Sequence, residues 1–176
     1  MRTFLLGGAR SGKSTLAMQI ARRQSLPVTY VATAEPFDDD LRDRVERHRA
    51  ERPEHWTTIE CPVELAAAVR EVPDDQFLIV DCLTVWLGNL FVHVVDPGQI
   101  ELRARALDAA LQARTGPTVV VSNEVGMGVH PEFPMGRVYR DELGRLNQLV
   151  AASAHFTLLV VAGKALRLVD PWEFLP

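Results

Sequence analysis

Short runs of β-type apolar residues alternate with stretches of helical periodicity along the whole chain. Thr3 to Leu6 reads as a first strand, and the amphipathic stretch Lys13 to Arg23 as the helix that follows it. Val28 to Thr33 ("VTYVAT") is a second strand, entered through Pro27. Leu41 to Glu51 has helical spacing and stops before Pro53. Trp56 to Glu60 is a short third strand, and Pro62 to Arg70 begins another helix. Phe77 to Asp81 ("FLIVD") is almost continuously apolar, as in a strand buried on both faces. A helix over Ile100 to Ala113 leads through Gly116-Pro117 to a second such strand, "TVVVSN". Helix Val138 to Ala154 and strand "FTLLVVAG" complete the pattern. Strands alternating with helices predict βαβ units and a mostly parallel sheet, whose ligands sit at the carboxyl ends of the strands. Those ends are Gly7, Thr33, Asp81, Asn123 and Gly163.

Bulk properties narrow the class. The 176 residues suit one domain spanning 1–176, and the hydrophobic share of 47% is that of an ordinary globular protein. A net charge of −4 argues against a general nucleic-acid binder. The run from Phe77 to Val95 is long enough to raise the question of a membrane span. Asp81, Thr84, Asn89 and His93 interrupt it, so a strand passing into a partly buried helix is the better reading. Phe4-Leu5-Leu6 is far too short for the apolar core of a secretory signal. Cys61 and Cys82 read as buried reduced thiols, so a cytoplasmic location is expected.

The first strand runs into "GGARSGKS", Gly7 to Ser14, which fits G-x-x-x-x-G-K-S/T. Gly7, Gly8, Ala9, Arg10, Ser11 and Gly12 can turn backbone N–H groups around an anion. Lys13 can reach β- and γ-phosphates, and the Ser14 hydroxyl can hold Mg²⁺. The helix opening at Lys13 adds its N-terminus to the cradle. The fold expected is therefore α/β: a P-loop NTPase-type, RecA-like three-layer sandwich with a mostly parallel central sheet. Asp81 closes a hydrophobic strand as a Walker-B acid does, and makes a second metal candidate beside Ser14. It also suits a helix N-cap.

The cradle does not name the reaction. "DCLT" lacks the D-x-x-G of a GTPase switch, and "SNEV" is no N-K-x-D guanine reader. A DNA-dependent motor is disfavoured by the acidic balance. A small-molecule kinase fits the size best; a nucleotide-binding module without turnover stays open. One segment fits none of these, "DDDLRDRVERHRAERPEHW". Leu41, Val45 and His48 share a helical face, and Asp38 to Asp40 lie at its favourable N-terminal end. Arg44, Arg47, Arg49 and Arg52 surround His48 in sequence. Such a cluster would keep the imidazole neutral and nucleophilic and offer charge to a triphosphate. On residue chemistry alone the segment still reads first as a solvated, salt-bridged helix with an incidental histidine.

Taken together, "GGARSGKS", "YVATA", "RVERHRAERPEHW", "IVDCLTVWLGNL", "SNEVGMGVHPE" and "GRVYRDELGRLNQLVAASA" resemble the bifunctional adenosylcobinamide kinase / adenosylcobinamide-phosphate guanylyltransferase family of cobalamin assembly. The resemblance runs in order from about Thr3 to Gly163. It implies phosphorylation of the aminopropanol hydroxyl of adenosylcobinamide. It also implies transfer of GMP from GTP, through a guanylyl-histidine, to the resulting phosphate. Arg44, His48, Arg52, Pro53 and Trp56 match the family pattern around its histidine, which makes His48 the implied nucleophile; Lys13 of the P-loop is the other catalytic residue expected. His55, beyond Pro53, is the competing histidine.

The same resemblance implies nucleotide contacts at Ala32, Thr33 and Ala34, at Arg49, Ala50, Glu51 and Arg52, and at Glu60 and Asp81. It further implies GTP, with ATP or GTP for the kinase step, Mg²⁺, a corrinoid substrate, and a homo-oligomer, expected as a trimer. No nucleic-acid partner and no membrane span are expected. Glu124 and the glycines after it read equally as a structural turn or an active-site loop. Arg137, Arg140 and Arg145 either contact anions or line a polar helix face. "RLVDPWEFLP" at the end reads as an addition to the family pattern.

Overall fold

The computed structural model describes residues 1–36, 39–94 and 96–175. Asp38 lies outside them, and the side chains of Asp39, Asp40, Leu41 and Arg44 are likewise outside the description.

Seven strands form one sheet in the order β3-β2-β4-β5-β1-β6-β7. They are β1 (Arg2–Leu6), β2 (Val28–Ala32), β3 (Thr57–Glu60), β4 (Phe77–Asp81), β5 (Thr118–Val121), β6 (Phe156–Val161) and β7 (Lys164–Leu168). All pairings are parallel except that of β6 with β7. The helices are α1 (Lys13–Arg22), α2 (Asp39–Ala50), α3 (Leu65–Glu71), α4 (Leu83–His93), α5 (Pro97–Ala113) and α6 (Pro134–Ser153).

The strand side chains sort by the two-residue period into two cores. Phe4, Val31, Leu78, Val80 and Val120 pack with Leu65, Trp86, Leu90, Leu107, Leu143 and Leu146 of α3 to α6. Leu5, Tyr30, Ala32, Phe77, Ile79, Val119 and Val121 face the other way and pack with Ala17, Met18 and Ala21 of α1. Strands apolar on both faces need helices on both faces, and three layers result. Among the described residues, no helix is long and apolar enough to cross a membrane.

Two helices begin earlier than their apolar periodicity suggests. α5 starts at Pro97 because the Asp96 side chain accepts from Gly98 N at 2.9 Å. α6 starts at Pro134, where a missing N–H costs nothing. At the chain end, Arg167 and Leu168 belong to the edge strand β7 rather than to an added tail. Ala162 and Gly163, with φ of 49° and 72°, make the two-residue turn that reverses β6 into β7.

Candidate active site

The carboxyl ends of β1, β2, β4 and β5 open onto a cleft of about 410 Å³. Its floor is the loop between β1 and α1. Gly7 has φ of 150°, and a Cβ there would stand 2.2 Å from the Val160 carbonyl oxygen. Only glycine lets the loop leave β1 so close to β6. Gly12 has φ of 100° and passes directly over Gly163. Two backbone bonds hold the loop from outside: Glu124 N donates to Gly7 O at 3.1 Å, and Gly163 N donates to Ser11 O at 2.9 Å. The Lys13 side chain is buried and donates to Gly7 O at 2.9 Å and Gly8 O at 2.7 Å. The ammonium is thus folded back on its own loop, where a phosphate can exchange with those carbonyls.

Ala9, Arg10, Ser11, Gly12, Lys13, Ser14, Ala32, Ala34, His48, Glu51, Arg52 and Asp81 of the expected residues line this cleft. Two regions far apart in sequence, the P-loop and the C-terminal half of α2, therefore face one space. Gly7 and Gly8 contribute their carbonyls to Lys13 instead of lining it.

Thr33, Arg49, Ala50 and Glu60 do not line the cleft. Thr33 is fully buried, and its hydroxyl donates to Cys82 O and accepts from Cys82 N, each at 2.8 Å. It ties β2 to β4 because the two-residue period turns it away from the cleft. Arg49 and Glu60 pair with each other at 3.4 Å while both stay about two-thirds exposed. Ala50 is exposed on α2, and so is His55 beyond it.

His48 sits in the last turns of α2, half-buried, with Nδ1 out of solvent and without a hydrogen-bond partner. Three of the four arginines expected to crowd it have other contacts. Arg49 turns to Glu60, Arg47 Nε donates to Asp43 O at 3.2 Å, and Arg52 lies over the Tyr30 ring. Arg47 and Arg52 still line the cleft.

Asp81 ends β4 beside Ala32, its register partner on β2. The Tyr30 hydroxyl donates to its Oδ2. The chemistry of the donor set suits Mg²⁺, which binds through one or two protein oxygens and takes the rest from phosphates and water. Ser14 and Asp81 can supply such oxygens from the cleft wall. Among the described residues no cluster of three or more His, Cys, Asp or Glu could hold a metal by itself. Cys82, next in the chain, has its thiol pushed up to about 11, first by burial and then by Asp81.

Sequence reasoning missed Tyr30, Val45, Cys82 and Val85 as cleft residues, while Asn123 lines the cleft as one of the expected strand ends. The strand period could have found Tyr30, which shares its face with Ala32. The loop after β5 is built as a turn: Glu124 accepts from Gly126 N at 2.8 Å and Met127 N at 2.9 Å. Arg137 donates to the carbonyls of Pro131 and Glu132, so it braces this loop. Arg140 pairs with Asp141 and Arg145 with Glu142.

Comparison with known proteins agrees with this geometry. The family described as cobinamide kinase / cobinamide phosphate guanyltransferase matches residues 3–168. The bifunctional adenosylcobalamin biosynthesis protein CobP of Pseudomonas aeruginosa is 44% identical over 93% of this chain and 94% of its own. The bifunctional adenosylcobalamin biosynthesis protein CobU of Salmonella typhimurium is 38% identical over 93% of this chain and 97% of its own. Among solved structures, a KaiC-like protein from Pyrococcus horikoshii aligns with a TM-score of 0.52 at 14% identity, over 90% of this chain and 69% of that one. The RadB recombinase aligns with a TM-score of 0.50 at 19% identity, over 90% of this chain and 73% of that one. Both are P-loop NTPases, and they bear on the fold alone.

Proposed function

This chain belongs to the cobinamide kinase / cobinamide phosphate guanyltransferase family, and we propose that both reactions run in the one cleft, with His48 carrying the GMP. The observation that supports this reading is that His48 lines the same cleft as Lys13 and the P-loop. A triphosphate whose tail rests in the cradle has its γ-phosphorus near Lys13 and its α-phosphorus toward α2.

In the kinase reaction the aminopropanol hydroxyl of the corrinoid attacks the γ-phosphorus and releases its proton, and a nucleoside diphosphate leaves. The P-loop N–H groups and Lys13 hold the phosphoryl oxygens as charge shifts across them. Mg²⁺, when bound, supplies further neutralisation of that charge; Ser14 and Asp81 are the residues that would hold it.

In the second reaction an imidazole nitrogen of His48 attacks the α-phosphorus of GTP. An N–P bond forms, the bond to the β-phosphate oxygen breaks, and pyrophosphate leaves. A phosphate oxygen of cobinamide phosphate then attacks the same phosphorus and the N–P bond breaks. GMP is delivered and the imidazole is restored. GTP serves the transferase step, and ATP or GTP the kinase step.

The test is to assay the two half-reactions separately in two variants. Lys13→Ala is expected to impair both. His48→Ala is expected to abolish guanylyl transfer and keep kinase turnover. Loss of both activities in a folded His48→Ala protein would contradict the division of labour.

A further inference from the structure

Tyr30 touches both halves of the cleft. Its hydroxyl donates to Asp81 Oδ2, and its ring carries the Arg52 guanidinium 3.8 Å from the centroid. Arg52 lies just past the end of α2, one turn beyond His48. Tyr30 itself is only 2% exposed, on a strand whose pairing to β4 fixes its backbone.

We propose that Tyr30 is a positioning residue that sets Asp81 and the C-terminal end of α2 together, one through its hydroxyl and the other through its ring. The hydroxyl engages Oδ2 and so fixes the carboxylate rotamer with Oδ1 left for a cation. The ring gives Arg52 a flat apolar seat, where a guanidinium stacks more favourably than an ammonium would. Arg52 Nη1 also reaches Thr58 Oγ1 at 3.5 Å, which leaves the stack on Tyr30 as its close contact to the β2 wall of the cleft. Strand β2 thereby links the acid of phosphoryl transfer to the helix of guanylyl transfer. The second arm of this inference rests on the reading of His48 given above; the first does not.

Two substitutions separate the arms. Tyr30→Phe keeps the ring and removes the hydroxyl; Tyr30→Leu removes both. The first readout needs no turnover: calorimetric titration of GDP with and without Mg²⁺. Tyr30→Phe should reduce the Mg²⁺-dependent gain in GDP affinity about fivefold to tenfold while metal-free affinity is unchanged. The kinase should show a matching rise in half-saturating Mg²⁺, with kcat recovered at saturation.

The second readout is transfer of label from α-labelled GTP to the protein at saturating Mg²⁺. Tyr30→Phe should take up label at the wild-type rate, and Tyr30→Leu about tenfold more slowly, because only it unseats Arg52. An unchanged Mg²⁺ gain in Tyr30→Phe would overturn the hydroxyl's role. Equal label uptake in Phe and Leu variants would overturn the ring's role. If Tyr30→Leu does not fold, Tyr30→Phe with Arg52→Lys replaces it, since lysine keeps the charge without the flat stack. Absence of label in the wild-type protein would refute the His48 reading, and the titration would still decide the hydroxyl's role.

Discussion

Glu51 Oε2 stands 3.9 Å from His48 Nδ1, three residues further along α2. Nδ1 is otherwise buried without a partner, so a small rotation of either side chain makes this its hydrogen bond. An imidazole that has taken GMP on its other nitrogen carries positive charge, and Glu51 is placed to balance it. Glu51→Gln is expected to slow label transfer from α-labelled GTP by about tenfold to a hundredfold, the worth of a hydrogen bond to a charged group. Kinase turnover, which on the proposed division of labour does not use His48, should stay within about twofold. Separate half-reaction assays on the one variant check both numbers.

Gly7 is where the P-loop has least freedom. An added methyl would meet the Val160 carbonyl oxygen at 2.2 Å, at a φ of 150° that other residues avoid. Gly7→Ala is expected to destabilise the fold by about 2–4 kcal/mol and to remove nucleotide binding. Thermal unfolding and GDP titration measure the two effects. Gly8 has open space at its Cβ position, so Gly8→Ala should fold as well as the wild type and serves as the control.

Cys82 lines the cleft beside Asp81, and its thiol is pushed up to about 11. At pH 8 only about one thiol in a thousand would be ionised, against roughly one in ten for an ordinary group near 9. Alkylation of Cys82 by iodoacetamide should therefore be slow at pH 8 and accelerate up to pH 11. Asp81→Asn, by removing a negative neighbour, should lower the pH at which it accelerates. Peptide mapping of the alkylated protein over this pH series reads the shift.

Glu124 links the P-loop to the turn that follows β5. Its backbone N–H donates to Gly7 O, while its carboxylate accepts from Gly126 N and Met127 N. In and after the turn, Met127, Val129 and Phe133 are exposed apolar side chains. Glu124→Ala should loosen this turn without touching the nucleotide. The expected result is a KM for the corrinoid raised about fivefold or more, with label uptake from GTP unchanged. Steady-state kinetics with varied corrinoid, set beside single-turnover labelling, distinguishes the two.

The P-loop and its flanking elements were legible because each local choice agrees: an apolar strand, glycines where φ is positive, and a helix opening at Lys13. Asp81 was legible because a strand buried on both faces rarely ends in an acid without a reason. β7 was not, since all five of its residues are exposed and leave no alternation to read. Thr33, Arg49 and Glu60 were expected at the nucleotide and lie off the cleft. A motif match locates a segment along the chain, whereas the strand period and the pairing of Arg49 with Glu60 decide which way a side chain faces. The strand period puts Tyr30 on the cleft face with Ala32, but its contact with Asp81 requires the β2–β4 register, which no local pattern encodes.

The central claim is that His48 takes GMP from a triphosphate bound in the P-loop. The most direct measurement is to incubate the purified protein with Mg²⁺ and GTP labelled on either the α- or the γ-phosphate, denature it, and map the labelled peptide. The expected result is an acid-labile, base-stable label from α-labelled GTP alone, carried on the peptide containing His48, absent from His48→Ala and reduced in Lys13→Ala. Label on another residue, or undiminished label in His48→Ala, would contradict the account.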